Sequence, residues 1–302
     1  MKIATNTLYE LIRERTGNTS QAVNEAVDTV TTGRAITQLS DDPFRLTQML
    51  DTQAELSSIE QYQRNIEMGE VWLNTSEIGM SGVQESLVDV YSNAIQLSND
   101  NVNEDDRESG AEDVEEKILD MLEVANTDVN GRYIFGGTST DEPPFILVND
   151  RGEEVDVEQA TRVKYVGDKT PFQIKTNEYQ SLDVGNDGSE IFGTMFETLL
   201  TLRDALRDND VDGITAQIDV VNEEAENISA FISATGQKMN RLTFRSSILE
   251  DLDLAKQEQF SDIAEVDITE AITDLRIKEL AYQAALSASS IVINMGTLMD
   301  HI

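Results

Sequence analysis

The side chains best placed to do chemistry are acidic. Asp208, Asp210, Asp212, Gly213 and Asp219 fall at positions 1, 3, 5, 6 and 12 of an EF-hand calcium loop. Oxygens at that spacing can close around a hard cation, and the glycine permits the sharp turn. Two features oppose the reading. Position 12 is Asp, shorter than the Glu that chelates with both oxygens, and Ile214 and Ile218 already begin a helical apolar seam. A turn ending in a helix cap accounts for the same residues. Asn99 to Asp106 is a second Asn/Asp cluster, without the glycine a calcium loop needs. Asp41 and Asp42 stand directly before Pro43, the pattern of a cap followed by a first-turn proline. Gly136-Gly137 lacks both the GxxxxGK[ST] pattern and the following helix of a phosphate loop. The one histidine is His301 and there is no cysteine, so neither a Ser-His nor a Cys-His pair can be assembled. The expectation is a chain without catalytic residues, cofactor or metal.

Charge narrows the partners. Lys and Arg number 22 against 58 Asp and Glu, a net charge of −36. Nucleic acid and anionic membrane surfaces require basic patches, so neither is expected as a partner. Adaptation to high salt, where screening relieves self-repulsion, is one reading of this acidity; an ordinary acidic protein is the other. Hydrophobic residues make up 39% of the chain, enough for a core, while aromatics at 6% and four prolines suit helix seams better than a globular α/β core. The first residues, Met1 to Glu10, lack the apolar run of a secretory signal, and no membrane-spanning run is expected. By that route alone the protein would be cytoplasmic.

The elements that must position these residues are long helices. Ile59, Ile66, Leu73, Met80, Leu87 and Ala94 repeat every seven residues, with Tyr62, Gly69, Ser76, Val83, Val90 and Leu97 three places after each. This a/d seam predicts one helix from Pro43 to about Ser98. Gly69 lies on it, where a missing side chain allows close approach, and Trp72 beside it reads as a packing residue. A second helix, with Ala111, Val114, Ile118, Met121 and Ala125 on one face, should fold back after the short polar break. Ile214 to Leu249 carries an equally regular seam, the natural antiparallel partner of the first. Between them, Arg132–Phe135, Phe145–Val148, Arg162–Val166 and Phe172–Thr176 are β-branched or aromatic runs between turn residues, and helix is expected to resume at Ile191. Residues 1–39 form a helix too thinly apolar to stand alone. From Ser261 onward two stripes share one helix: Leu280, Ala284, Ser287, Ile291, Asn294 and Leu298, and Tyr282, Ala285, Ser289, Val292 and Met299. A helix apolar or small almost all round must be covered on several sides, so other subunits are expected against it.

Several stretches carry a family resemblance. They are Thr32-Gly-Arg-Ala-Ile, Ser40-Asp-Asp-Pro, Ile59-Glu-Gln-Tyr-Gln-Arg-Asn-Ile, Trp72-Leu-Asn, Asn130-Gly-Arg-Tyr-Ile-Phe-Gly-Gly, Pro144-Phe, Tyr165-Val-Gly-Asp, Asp267-Ile-Thr-Glu-Ala-Ile and Ala281-Tyr-Gln-Ala-Ala-Leu. Taken in order they cover nearly the whole chain, which resembles the hook–filament junction proteins of the flagellin superfamily. The resemblance implies a mainly α fold: an elongated antiparallel helical bundle or coiled-coil rod built from the N- and C-terminal halves, with a small central β-rich insert. It divides the chain into terminal assembly segments (1–42 and 261–302), a helical rod (43–131 and 191–260) and an outer β-rich domain (132–190). The terminal helices would pair as an inner layer, disordered in the monomer and ordered on assembly. Leu8, Ile12, Leu280, Ala284, Ile291 and Leu298 are the expected subunit-assembly residues. Implied partners are other copies in a ring, flagellin, the other hook-associated junction protein, and an export chaperone on the C-terminal segment. Export through the flagellar type III apparatus needs no cleaved signal and would place the protein outside the cell. The alternatives are a flagellin-type filament subunit and, from another class, a soluble calcium-responsive coiled-coil module.

Overall fold

The computed structural model describes residues 2–35 and 42–299, with side chains for residue 7, residues 9–35 and residues 42–291. Within these residues the fold is mainly α, with small antiparallel hairpins confined to the middle of the chain. The helices are α1 (Lys2–Thr32), α2 (Pro43–Leu97), α3 (Glu104–Ala125), α4 (Gly188–Arg207), α5 (Val211–Ala264) and α6 (Ile268–Met299). None is long and apolar enough to cross a membrane among the described residues. The chain forms two compact units, residues 1–59 with 251–302, and residues 60–250. Both α2 and α5 contribute to each.

The unit of residues 60–250 holds the main core. The heptad seam of α2 is buried as its spacing predicts: Ile66, Leu73, Ser76, Met80, Val83, Leu87, Val90 and Ala94 are all enclosed. Val221, Ile228 and Leu242 of the α5 seam are enclosed too. A Cβ on Gly69 would stand 2.6 Å from Ile174 Cδ1 and 3.1 Å from Leu242 Cδ1, so the glycine admits a strand side chain as well as the partner helix. Arg107 ties the far end together. Its Nε donates to Leu97 O and its Nη2 to Asn99 O, both at 2.9 Å, and its Nη1 donates to Asn209 Oδ1. The end of α2 therefore lies beside the start of α5, and the two run antiparallel. Helix α3 folds back along α2 as expected: its Val124 faces Gly79 and its Gly110 makes room for Leu97. Asn103 caps it, its side chain accepting from Asp106 N at 2.7 Å.

The middle of the chain adds three two-stranded sheets. They are β1 (Asp128–Val129) with β2 (Arg132–Tyr133), β3 (Phe145–Val148) with β4 (Arg162–Tyr165), and β5 (Gln173–Lys175) with β6 (Ser181–Asp183). Asn130 and Gly131, with φ of 56° and 78°, make the tight turn between the first pair. A lone hairpin is marginal in water, so each needs a helix to pack on. Helix α4 provides the largest support. Phe192 meets Phe135 edge-on at 4.9 Å and Phe145 at 5.8 Å, and Phe145 lies 5.7 Å from Phe196. Such pairs add about 0.5–1.5 kcal/mol each beyond the area they bury. Helix α4 begins at Gly188, three residues before the expected Ile191, because Asp187 Oδ1 accepts from Ser189 N at 2.8 Å and caps it there. Trp72 is a packing residue, buried and stacked on Phe172 at 4.9 Å.

An ionic clamp, unheralded in the sequence, fastens the connection between β3 and β4. Arg203 is 3% exposed. Its Nη1 donates to Val157 O at 2.7 Å and its Nη2 to Ala160 O at 2.9 Å. Glu115 of α3 pairs with Arg207 Nη2 at 2.8 Å and lies 3.7 Å from Arg203 Nη1. Two carbonyls and a carboxylate thus satisfy a buried cation, the condition under which such burial is tolerated.

Candidate assembly surface

The candidate surface lies in the unit of residues 1–59 and 251–302 and is built by pairing the two ends of the chain. Helix α1 stops at Gly33, whose φ of +67° suits a glycine closing a helix. The chain then runs alongside the link between α5 and α6. Ala35 N donates to Ala264 O at 2.8 Å, and Val266 N to Gly33 O at 3.0 Å. Asp267 restarts the helix, its Oδ1 accepting from Thr269 N at 2.8 Å. These N–H donors hold the Asp267 carboxyl below its usual range. In the same unit Asp42 caps α2, accepting from Phe44 N at 3.1 Å and Arg45 N at 3.0 Å. Asp41 and Ser40 lie outside the described residues. Arg45 Nη2 donates to Ile263 O at 2.9 Å, and Lys256 pairs with Glu55 at 2.5 Å, so α2 and α5 are antiparallel here as well.

Helices α1 and α6 pack antiparallel, with Gly33 beside Ile268 at one end and Thr16 Oγ1 3.1 Å from Ser289 Oγ toward the other. Ala271, Leu275, Tyr282, Ala285 and Ser289 turn toward the pair, and Ile12, Thr16, Thr19, Val23 and Ala26 meet them. The spacing on both sides alternates three and four, the rhythm of a two-helix seam. Alanines, threonines and Ser289 make up much of it beside Ile12, Val23, Leu275 and Tyr282, and among the described residues only Ala26 and Ala271 are fully enclosed on it. Alanine has little apolar area to bury, whereas a buried Leu or Ile contributes about 1.5–3 kcal/mol. The pair is therefore held far more weakly than the α2 seam.

The two stripes on α6 have separate fates. The Tyr282, Ala285, Ser289 stripe faces α1, while the other stands open. Leu280 is 66% exposed and Ile291 61% exposed, with Ala284 exposed between them. Of the six expected assembly residues, these three share the open face. Ile12 is half-buried in the α1–α6 seam, on the opposite side of the interaction. The side chains of Leu8 and Leu298 lie outside the described residues. Ile277, 60% exposed, extends the open stripe by one heptad and is missing from the expected set. Its position seven before Ala284 was the available signal, hidden by Arg276 and Lys278 on either side.

The acidic cluster does not form a calcium loop. Helix α5 begins at Val211, so Asp212, Gly213 and Asp219 are already helical. Asp210 Oδ1 accepts from Gly213 N at 3.1 Å, the work of a cap. Among the described residues no group of three or more His, Cys, Asp or Glu side chains is gathered to hold a metal ion.

Chain ends paired as helices, together with a separate unit of helices and hairpins, define a structural-subunit class of fold. Comparison with known proteins makes it specific. The helical N-terminal region of bacterial flagellin matches residues 3–140. Flagellar hook-associated protein 3 of Escherichia coli is 24% identical over 305 residues, covering 95% of this chain and 96% of its own. Flagellin of Listeria innocua is 20% identical over 291 residues, covering 96% of this chain and 95% of its own. Among solved structures, a flagellar hook-associated protein from Vibrio parahaemolyticus superposes with a TM-score of 0.65 at 19% identity, over 74% of this chain and 100% of that one. FlgL of Bacillus cereus does so at 0.58 and 21%, over 70% and 99%. The chain is thus similar to flagellin over its N-terminal helical region and to hook-associated protein 3 over nearly its whole length.

Proposed function

We propose that this chain is a structural subunit of the bacterial flagellum that joins hook to filament. The observation that carries the mechanism is the open stripe of Ile277, Leu280, Ala284 and Ile291, left uncovered once α1 has taken the other side of α6. Apolar area on a weakly held helix pair is released from water only when neighbouring copies cover it, so ordering of the chain ends and association are one event. Leu8, Ile12, Leu280, Ala284, Ile291 and Leu298 remain the proposed assembly residues, with Ile277 added. The two terminal segments form the inner layer, the long helices the rod and residues 132–190 the outer domain. Its neighbours are other copies in a ring, flagellin and a second hook-associated junction protein, and an export chaperone holds the C-terminal segment beforehand. The site of action is the flagellum outside the cell, reached without a cleaved signal.

The test is filament retention in cells lacking the protein. Loss of filaments with unattached flagellin in the medium, reversed by the full chain but not by a chain lacking the last 30 or so residues, is the expected result. Restoration by the truncated chain overturns the reading. A filament-forming role has support in the Listeria relative, at lower identity than the Escherichia coli one. Self-polymerisation of the purified chain into long filaments would select it.

A further inference from the structure

The chain is strongly acidic, with 58 acidic against 22 basic residues, yet one groove is lined by a pair of arginines. The hairpin of β5 and β6 overhangs α5 and closes an open groove of about 320 Å³, lined by Thr176, Tyr179, Gln180, Ser181, Arg241 and Arg245. Arg241 and Arg245 stand one helical turn apart, so both guanidinium groups reach the same space. Arg245 Nη2 donates to Gln180 Oε1 at 2.5 Å, which fixes the orientation of its planar head. Arg241 has no hydrogen-bond or ion-pair partner among the described residues. No carboxylate lines the groove. Glu178, in the turn above, is engaged by the Tyr179 phenol. Two arginines in the lining, with Glu178 held at the rim by the Tyr179 phenol, leave the groove net positive in a chain of 22 basic and 58 acidic residues, a recess suited to an anion.

We propose that this groove receives carboxylate side chains from a second copy of this chain. The proposal rests on the structural-subunit reading, since copies set side by side supply the carboxylates. The choice of occupant follows from charge. A copy carrying 58 acidic residues presents carboxylates on nearly any face. Repulsion between two such copies is long-range and screened beyond about 8 Å at physiological ionic strength, whereas an arginine–carboxylate contact acts inside that distance. Guanidinium heads hold carboxylates through two parallel N–H donors, which lysine cannot do. The groove thus supplies a short-range attraction at one place in a surface that otherwise repels its own kind.

The test uses the full chain at physiological ionic strength, with a fluorescein-labelled hexa-aspartate peptide followed by anisotropy and with sedimentation velocity over a range of protein concentrations. Saturable peptide binding is expected, weakened about tenfold or more by Arg241→Gln/Arg245→Gln and unchanged by Lys256→Gln. Self-association of the unaltered chain should fall in the same double variant. Arg241→Gln alone, at an exposed and partnerless position, keeps the test open if the double variant misfolds. Equal peptide binding by the variants overturns the proposal. Peptide binding with unchanged self-association overturns the second copy as occupant. The two readings fail separately. If the unaltered chain does not restore filament retention, the junction reading falls; if it does, while the variant self-associates normally, the groove proposal falls alone.

Discussion

Replacing Leu280 and Ile291 together by Ala separates association from folding. Both side chains are mostly in water in the free subunit, at 66% and 61% exposure. Removing them there costs little, within about 0.5 kcal/mol as for other surface changes, and Ala favours helix. On assembly the same side chains have roughly two-thirds of their area left to bury. Full burial of a Leu or Ile is worth about 1.5–3 kcal/mol, so each loses about 1–2 kcal/mol and the pair about 2–4 kcal/mol. At 1.4 kcal/mol per tenfold, association weakens by about 30- to 700-fold. The paired assays are filament retention in cells lacking the chain and thermal unfolding of the purified protein. The expected result is detached filaments with an unfolding midpoint close to that of the unaltered chain. Leu87→Ala provides the contrast. Leu87 is fully buried, and its truncation should cost about 2–5 kcal/mol of stability. Full filament retention by the double variant, or a stability loss matching Leu87→Ala, refutes the reasoning.

Three further outcomes follow from the same structure. Arg203→Ala removes both donors from Val157 O and Ala160 O and strips Glu115 of one cation; denaturant unfolding should register a loss of about 3–5 kcal/mol, and less than 1 kcal/mol would show the clamp to be idle. Asp267 and Asp168 have carboxyls held below the usual 3.8, Asp267 by the N–H groups of Thr269 and Glu270 and Asp168 chiefly by the Thr138 hydroxyl. Their stabilisation is complete above the unfolded value and is lost as pH falls from there through the lower folded-state value, so amide protection at Thr269 and Glu270 should decline progressively as pH drops below about 5, toward the level of an uncapped helix start once the folded-state carboxyl is protonated; unchanged protection contradicts the cap. With a net charge of −36, the unfolding midpoint should rise as salt shortens the screening length from about 10 Å at 0.1 M to about 3 Å at 1 M, and a flat salt response would show that self-repulsion is not limiting.

How much of this was legible depended on the length of each signal. The α2 seam repeats over more than five turns of the pattern, and every a-position from Ile59 to Ala94 is buried. The second seam was equally plain, and its matching regularity marked it as the antiparallel partner of the first. The strands β1 and β6 went unread because two- and three-residue segments such as Ser181-Leu182-Asp183 carry no periodicity. The sequence showed two stripes on α6 but not which one α1 would take. Each stripe mixes large and small side chains, Tyr282 with Ala285 and Ser289 on one and Leu280 and Ile291 with Ala284 on the other, so size alone did not separate them. Arg203 and Glu115 gave no signal at all. Charged residues on helices are expected in solvent, and only the fold brings carbonyls from Val157 and Ala160 to meet them.

Trp72 has one more consequence. It is the only tryptophan in the chain, and it sits enclosed against Phe172 in the unit of residues 60–250. The other unit contains tyrosines such as Tyr9 and Tyr282 but no indole. Selectively excited fluorescence therefore reads one unit of the molecule and is blind to the unit proposed to associate, while circular dichroism registers the helices of both. The chain comes with its own internal reference: any ordering of its ends that changes ellipticity and leaves the indole emission still has been observed without a label.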